Sequence, residues 1–270
     1  MTLRFAANLS FMFPELAWER RFAAAAGCGF TGVEFNPPLP YEVAPQAFAR
    51  MLADHGLACP LVVAPLGTGA AAFGHACLPS ERAAFAASID TAIEYALAAG
   101  APLVHPTAGR ATSVPHGEAE AAYVENLAWA AGQVASAGLK LCIEPVCEFR
   151  APGFFLSTTT QAIDVIGRSG SDDIGLIFDV FHVEKQEGSA LERLPELLPR
   201  IMHVQVSDTP NRNRPGLGDI DFASIFGLLE RDGYSGWIGC EYSPERGQSD
   251  DLDWAAPWWP DNNNDRVRGD

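Results

Sequence analysis

The sequence predicts a single-domain closed (β/α)₈ barrel, the TIM-barrel architecture. Its 270 residues suit a fold that takes about 250. Short apolar, β-branched runs alternate with longer alanine-rich stretches, the signature of βα units feeding a parallel sheet. The runs number eight along the chain.

Arg4–Asn8 reads as the first strand, followed by a helical stretch over Leu16–Ala26 that stops at Gly27 to Gly29. Gly32–Phe35 leads to a helix over Pro45–His55, ended by Gly56. Ala58–Ala64 is the third strand. The helix Ser80–Ala99 follows, with Ser80 placed to cap it, Glu81 and Arg82 in its first turn, and Gly100 as its stop. Leu103–Thr107 precedes the helix Glu118–Ala137, which Gly138 terminates. Leu139–Glu144 is paired with Thr159–Ile166, Gly175–Asp179 with Leu191–Leu198, and Met202–Ser207 with Phe222–Glu230. Trp237–Glu241 is the eighth strand. The recurring glycines suit left-handed C-caps. An open doubly wound sheet is the alternative. That fold usually carries a glycine-rich phosphate loop after its first strand, whereas Asn8-Leu9-Ser10-Phe11-Met12-Phe13 contains no glycine.

The barrel is assigned to residues 1–256 and a C-terminal tail to 257–270. From Trp254 onward the composition changes, with Trp254, Trp258 and Trp259 followed by Asn262-Asn263-Asn264. The tail is expected to pack its aromatics on the barrel and then fray. A role in a homo-oligomer interface is the alternative.

Composition narrows the function classes. Hydrophobic residues make up 48% of the chain, enough for a large core, yet no apolar run approaches the ~20 residues of a membrane span. The opening MTLRFAANLS lacks the pattern of a signal peptide, so the cytoplasm is the expected location. Cys28, Cys59, Cys77, Cys142, Cys147 and Cys240 form no CxxC pair and read as reduced thiols. The formal charge is −16, with 18 Lys plus Arg against 34 acids. That balance speaks against nucleic acid as a partner, because phosphate neutralisation needs a basic footprint. An anionic substrate would need local cations, a metal or an arginine, to capture it.

In a barrel, reactive groups sit where strands end at the C-terminal mouth. Here four consecutive strands finish on a metal-compatible side chain: Glu144, Asp179, Gln205 and Glu241. A carboxylate after an apolar strand is costly to bury unless paired or bound to a cation. Each has an alternative reading. Glu144 and Glu241 could pair with arginines at the mouth, Asp179 could cap the next helix, and Gln205 could be a bonded core amide. Three carboxylates and an amide oxygen suit one hard divalent cation, Mg²⁺ or Mn²⁺, better than Zn²⁺. His182, three residues past Asp179, is a candidate donor to a substrate oxygen. Arg212 and Arg150 are candidates for binding a substrate carboxylate. His203 alternates with Gln205, so both point inward or neither does.

The ordered segments Arg4–Ser10, Gly29–Phe35, Ile143-Glu144-Pro145, Pro152-Gly153-Phe154, Phe178–His182, His203–Asp208, Pro215–Ile220 and Gly236–Tyr242 resemble the hydroxypyruvate isomerase family of the xylose-isomerase-like barrel superfamily. The resemblance implies a metal site from Glu144, Asp179, Gln205 and Glu241, with Glu144 and Glu241 also serving as the catalytic proton-transfer pair. Related sugar 3-epimerases carry His where this chain has Gln205, which leans toward the isomerase branch. The chain departs from the family pattern at Val146, Cys147 and Arg150, and at Ala64-Pro65-Leu66-Gly67-Thr68. These positions bear on the substrate rather than on fold or metal.

The expected reaction is hydroxypyruvate to tartronate semialdehyde (2-hydroxy-3-oxopropanoate) through a cis-enediolate stabilised by the cation. Isomerisation of a 2-oxo-tetronate and epimerisation of a ketose at carbon three are the close alternatives. A metal nuclease on the same superfamily fold would need a histidine-rich multi-zinc cluster, and the six histidines here are not expected to line up with the carboxylates. A non-catalytic small-molecule-binding barrel is a further alternative.

Overall fold

The computed structural model describes residues 2–112, 114–244 and 251–259. Eight strands, β1 (Arg4–Asn8), β2 (Gly32–Glu34), β3 (Leu61–Val63), β4 (Leu103–His105), β5 (Lys140–Ile143), β6 (Ile174–Asp179), β7 (Ile201–Val206) and β8 (Trp237–Cys240), form one sheet in the order β2-β1-β8-β7-β6-β5-β4-β3. Every pairing is parallel. A parallel bridge from Gly32 to Ala58 closes the ring, with Val33 N donating to Ala58 O and Ala58 N to Thr31 O. The expected strand Ala58–Ala64 is therefore split. Ala58 bridges to β2, Pro60 lacks an N–H for the ladder, and β3 begins at Leu61.

The helices are α1 (Trp18–Gly27), α2 (Pro45–Asp54), α3 (Arg82–Ala99), α4 (His116–Ser136), α5 (Thr159–Ser169), α6 (Val180–Glu187), α7 (Ala190–Leu197) and α8 (Phe222–Arg231). Two details differ from expectation. Ser80 does not cap α3; it lies inside a 3₁₀ turn, Pro79–Glu81, and Glu81 takes the cap position without a side-chain bond. α6, absent from the sequence reading, starts directly after β6. Asp179 Oδ1 accepts from Phe181 N at 2.8 Å and His182 N at 3.2 Å, which satisfies two of the N–H groups left open at a helix start.

The main core fills the space between barrel and helices, with Phe22, Phe48, Phe85, Tyr123 and Phe226 fully buried. A second, small apolar cluster lies inside the barrel: Leu61, Val63, Leu103, Cys142 and Ile177, with Met202 against them. Leu61 and Val63 border the cavity at the C-terminal mouth, and Leu103 and Met202 border a hollow at the opposite end. This layer floors the site. Trp254, Trp258 and Trp259 pack against Phe5, Phe30 and Phe226 at ring separations of 4.9 to 5.9 Å, so the outer face of β1 beside α8 is covered by aromatics. The expected fraying of 260–270 lies outside the described residues. Among the described residues no helix is long and apolar enough to cross a membrane.

Candidate active site

A cavity of about 220 Å³ opens at the C-terminal mouth, lined by Glu144, His182, Gln205, Arg212, Glu241 and, at its exposed rim, Arg150. Six of the seven sequence-predicted site residues thus line one cavity. The seventh, Asp179, is 1% exposed and lies behind Arg212.

Arg212 organises this end of the barrel. Its Nη2 is 2.8 Å from Asp179 Oδ2 and 2.9 Å from Glu241 Oε1, and its Nη1 is 3.0 Å from His182 Nε2. The guanidinium is 5% exposed and sits between Phe11 and Phe181 at 5.5 and 5.4 Å. As placed, this arginine binds the protein's own carboxylates rather than presenting its whole fork to a ligand. Its backbone lies in the left-handed region at φ 60, a conformation that non-glycine residues adopt only when their surroundings hold them there. The hold comes from Asp208, buried at the end of β7. Its two oxygens accept from Thr209 N, Ile220 N, Gly216 N and Gly218 N, and its backbone pairs with Asn213. This accounts for the Pro215–Ile220 segment singled out in the sequence.

Glu144 stands between two histidines, with His105 Nε2 3.5 Å from Oε2 and His182 Nε2 3.7 Å from Oε1. Burial pushes its carboxyl up, but the His105 hydrogen bond and the charges of His182 and Arg212 outweigh that and leave it below the usual value. Glu241 is driven well above its usual value. Burial is the largest influence, Arg212 opposes it, and the neighbouring Glu144, Asp179 and Glu34 add to it. Two carboxyl groups in one cavity thus have opposite tendencies, the arrangement that acid–base chemistry at a shared site requires. Burial also lowers His182. A guanidinium only donates, so His182 Nε2 accepts from Arg212. On the other side of the ring, Nδ1 lies 3.4 Å from the donating Cys147 N and 3.2 Å from the Cys147 sulfur.

The alternative readings of the strand-end residues are thus partly realised. Asp179 does cap α6, and Glu241 does pair with an arginine. Gln205 does bond as a core amide: its Nε2 donates to Glu34 Oε1 at 3.0 Å and to Glu241 Oε2. The residues nevertheless fit a cation. Ligand atoms of Glu144, Asp179 and His182 lie within 4.8 Å of one another. Gln205 Oε1 is buried with no hydrogen-bond partner among the described residues, an amide oxygen available to coordinate. This set shares Glu144 and Asp179 with the four predicted ligands and adds His182; Glu241 lies outside it and is joined to Asp179 through Arg212.

Several residues escaped the sequence reading. Asn8 ends β1, Glu34 ends β2 and His105 ends β4, all buried. The strand-end rule that found Glu144 would have found them had it been extended to the first half of the barrel. The histidines are also less scattered than expected. His105 and His182 flank Glu144, and His203 Nε2 meets Glu34 Oε2 at 2.7 Å. Asn36, past the end of β2, donates to Glu241 Oε1 at 3.3 Å. Of the positions that depart from the family pattern, Ala64 and Cys147 are buried, and Thr68 and Arg150 are exposed.

Comparison with known proteins agrees with the fold. The family model described as xylose isomerase-like TIM barrel matches residues 22–258. The hydroxypyruvate isomerase of Escherichia coli (strain K12) is 35% identical over 258 residues, covering 95% of this chain and 99% of that protein. A 2-oxo-tetronate isomerase of Cupriavidus necator is 37% identical, covering 94% of this chain and 98% of its own. A crystal structure described as an AP endonuclease of family 2 from Brucella melitensis superposes with a TM-score of 0.90 at 33% identity, covering 96% of this chain and 100% of that one. An L-ribulose 3-epimerase shares the fold, with a TM-score of 0.74 at 23% identity over 94% of this chain and 87% of that one. Near-complete matches to named isomerases place the protein among the isomerases. With eight parallel strands and a matched span covering most of its length, the chain belongs to the xylose isomerase-like TIM barrel family.

Proposed function

We propose that the protein isomerises a small hydroxy-oxo acid, with hydroxypyruvate to tartronate semialdehyde as the leading reaction. The observation that carries this reading is the pair Glu144 and Glu241, both lining one small cavity and held in opposite electrostatic environments. In this reading Glu144, Asp179, Gln205 and Glu241 hold one divalent cation, Mg²⁺ or Mn²⁺, with His182 beside them. When bound, that ion supplies Lewis-acid stabilisation of the negative charge that develops on neighbouring substrate oxygens.

The protein's own groups do the rest. One glutamate takes the carbon-bound proton, the other delivers a proton to the adjacent carbon, and the hydroxyl proton passes to the former carbonyl oxygen. Arg212 keeps Asp179 and Glu241 in register. Arg150, at the rim, is positioned to meet an incoming carboxylate, an attraction the acidic surface does not provide. Phe11, Leu66, Phe73, Val146 and Phe154 give the cavity apolar walls that limit access of water to the reacting carbons.

Glu144→Gln and Glu241→Gln, assayed with Mn²⁺ and hydroxypyruvate, are each expected to lower kcat by at least about 100-fold while thermal melts stay cooperative. Wild-type turnover in either variant would remove the proton-transfer assignment. Isomerisation of a four-carbon 2-oxo acid is the second reading, supported by the 37% identity to a 2-oxo-tetronate isomerase. A panel of three- and four-carbon oxo acids and free ketoses separates the two.

A further inference from the structure

Glu34 has no part in the chemistry above, yet three neighbouring strands are built around it. It ends β2 and is 1% exposed. Its Oε1 accepts from Asn8 Nδ2 at 3.1 Å and Gln205 Nε2 at 3.0 Å, and its Oε2 meets His203 Nε2 at 2.7 Å. Gly239 on β8 leaves room for the carboxylate; a Cβ at that position would collide with it. The slot is therefore shaped for a side chain of this size, with β1, β7 and β8 each contributing one wall.

The same two amide nitrogens also reach Glu241 Oε2, from Asn8 at 3.3 Å and from Gln205. Two –NH₂ groups thus bridge one oxygen of Glu34 and one oxygen of Glu241. A primary amide has a donating end and an accepting end, and a carboxylate accepts only. With Nε2 drawn to two carboxylate oxygens, the Gln205 Oε1 is set at the other end. This is the buried oxygen that has no partner among the described residues. An apolar side chain at position 34 would remove half of that bias.

We propose that Glu34 is a positioning residue that fixes the Gln205 amide with its oxygen, not its nitrogen, toward the divalent cation. Groups that hold a ligand from behind typically contribute about 10- to 100-fold to metal affinity. The inference rests on the metal reading above, and the experiment keeps the two apart. Mn²⁺ binding is measured by calorimetry on wild type, Glu34→Met, Glu34→Gln, Gln205→Glu and the double variant Glu34→Met/Gln205→Glu. Wild type is expected to bind one ion. Glu34→Met should bind it about 10- to 100-fold more weakly. Glu34→Gln keeps an accepting oxygen and should stay within a few-fold of wild type. A carboxylate has no wrong end, so Gln205→Glu should make affinity indifferent to Glu34→Met. The double variant should then match Gln205→Glu alone.

Equal affinity in Glu34→Met and wild type overturns the proposal. So does a double variant that stays as weak as Glu34→Met, because Glu34 would then act through the fold. No Mn²⁺ binding by wild type defeats the metal reading itself, and this inference with it. Should Glu34→Met fail to fold, Glu34→Asp takes its place with the same expected order. That variant keeps the charge but withdraws the oxygen from Gln205 by one methylene.

Discussion

Arg212 shows how much a single buried charge decides at this site. It contacts Asp179 and Glu241 together at 2.8 and 2.9 Å. Removing one partner of a buried ion pair leaves the other uncompensated, at a cost of about 3–5 kcal/mol. Arg212→Gln is therefore expected to lower the metal-free melting temperature by roughly 6–12 °C. Saturating Mn²⁺ should recover most of that loss, since an ion on the same carboxylates supplies the missing positive charge. Calorimetric melts with and without Mn²⁺ check this; a loss that Mn²⁺ leaves untouched would separate Arg212 from the cation site. At this scale the second half of the barrel was legible. Glu144, Asp179, Gln205 and Glu241 each follow an apolar strand, where an unpaired polar group is conspicuous. Partners were not legible. Nothing local in the sequence says that Glu34 reaches Gln205 across 171 residues, or that Arg212 turns back onto Asp179.

Secondary-structure elements give two opposed cases of capping. Thr158 starts α5 and its hydroxyl accepts from Gln161 N at 3.1 Å. Ser80 lies in a 3₁₀ turn ahead of α3 and does not cap it. Thr158→Ala is expected to cost about 1 kcal/mol and Ser80→Ala less than about 0.5, read from urea denaturation of the two variants. The sequence suggested the reverse emphasis, because a serine followed by Glu81 resembles a helix start. Pro79 makes the difference by opening a tight turn one residue earlier. α6 was missed for a related reason. Its first four residues, Val180 to Val183, are buried in succession and so show no amphipathic period, and its start is defined by Asp179, a residue read for its chemistry. The strands were the most legible elements. All eight were anticipated, and the boundary errors fall mainly where Pro60 or a cavity-facing side chain ends the ladder.

For the molecule as a whole, closure of the ring and the acidic balance follow from counting, while the depth of burial does not. Cys59 and Cys77 are fully packed, and burial pushes both thiols up to about 12. Such a group stays protonated in the folded chain after the unfolded chain begins to ionise near pH ~8.5. Its contribution to stability is thus complete below about pH 8.5 and is lost as pH rises toward 12, at about 1.4 kcal/mol per pH unit for each thiol. Melting temperature should fall between pH 8 and pH 10.5, and less steeply in Cys59→Ala; parallel slopes would show that the thiol is not responsible. The layer of Leu61, Val63, Leu103, Cys142, Ile177 and Met202 has a separate consequence. It makes the reaction chamber a dead end. Whatever enters from the open rim must leave by the same doorway, so each turnover requires the vestibule to empty before it can fill again.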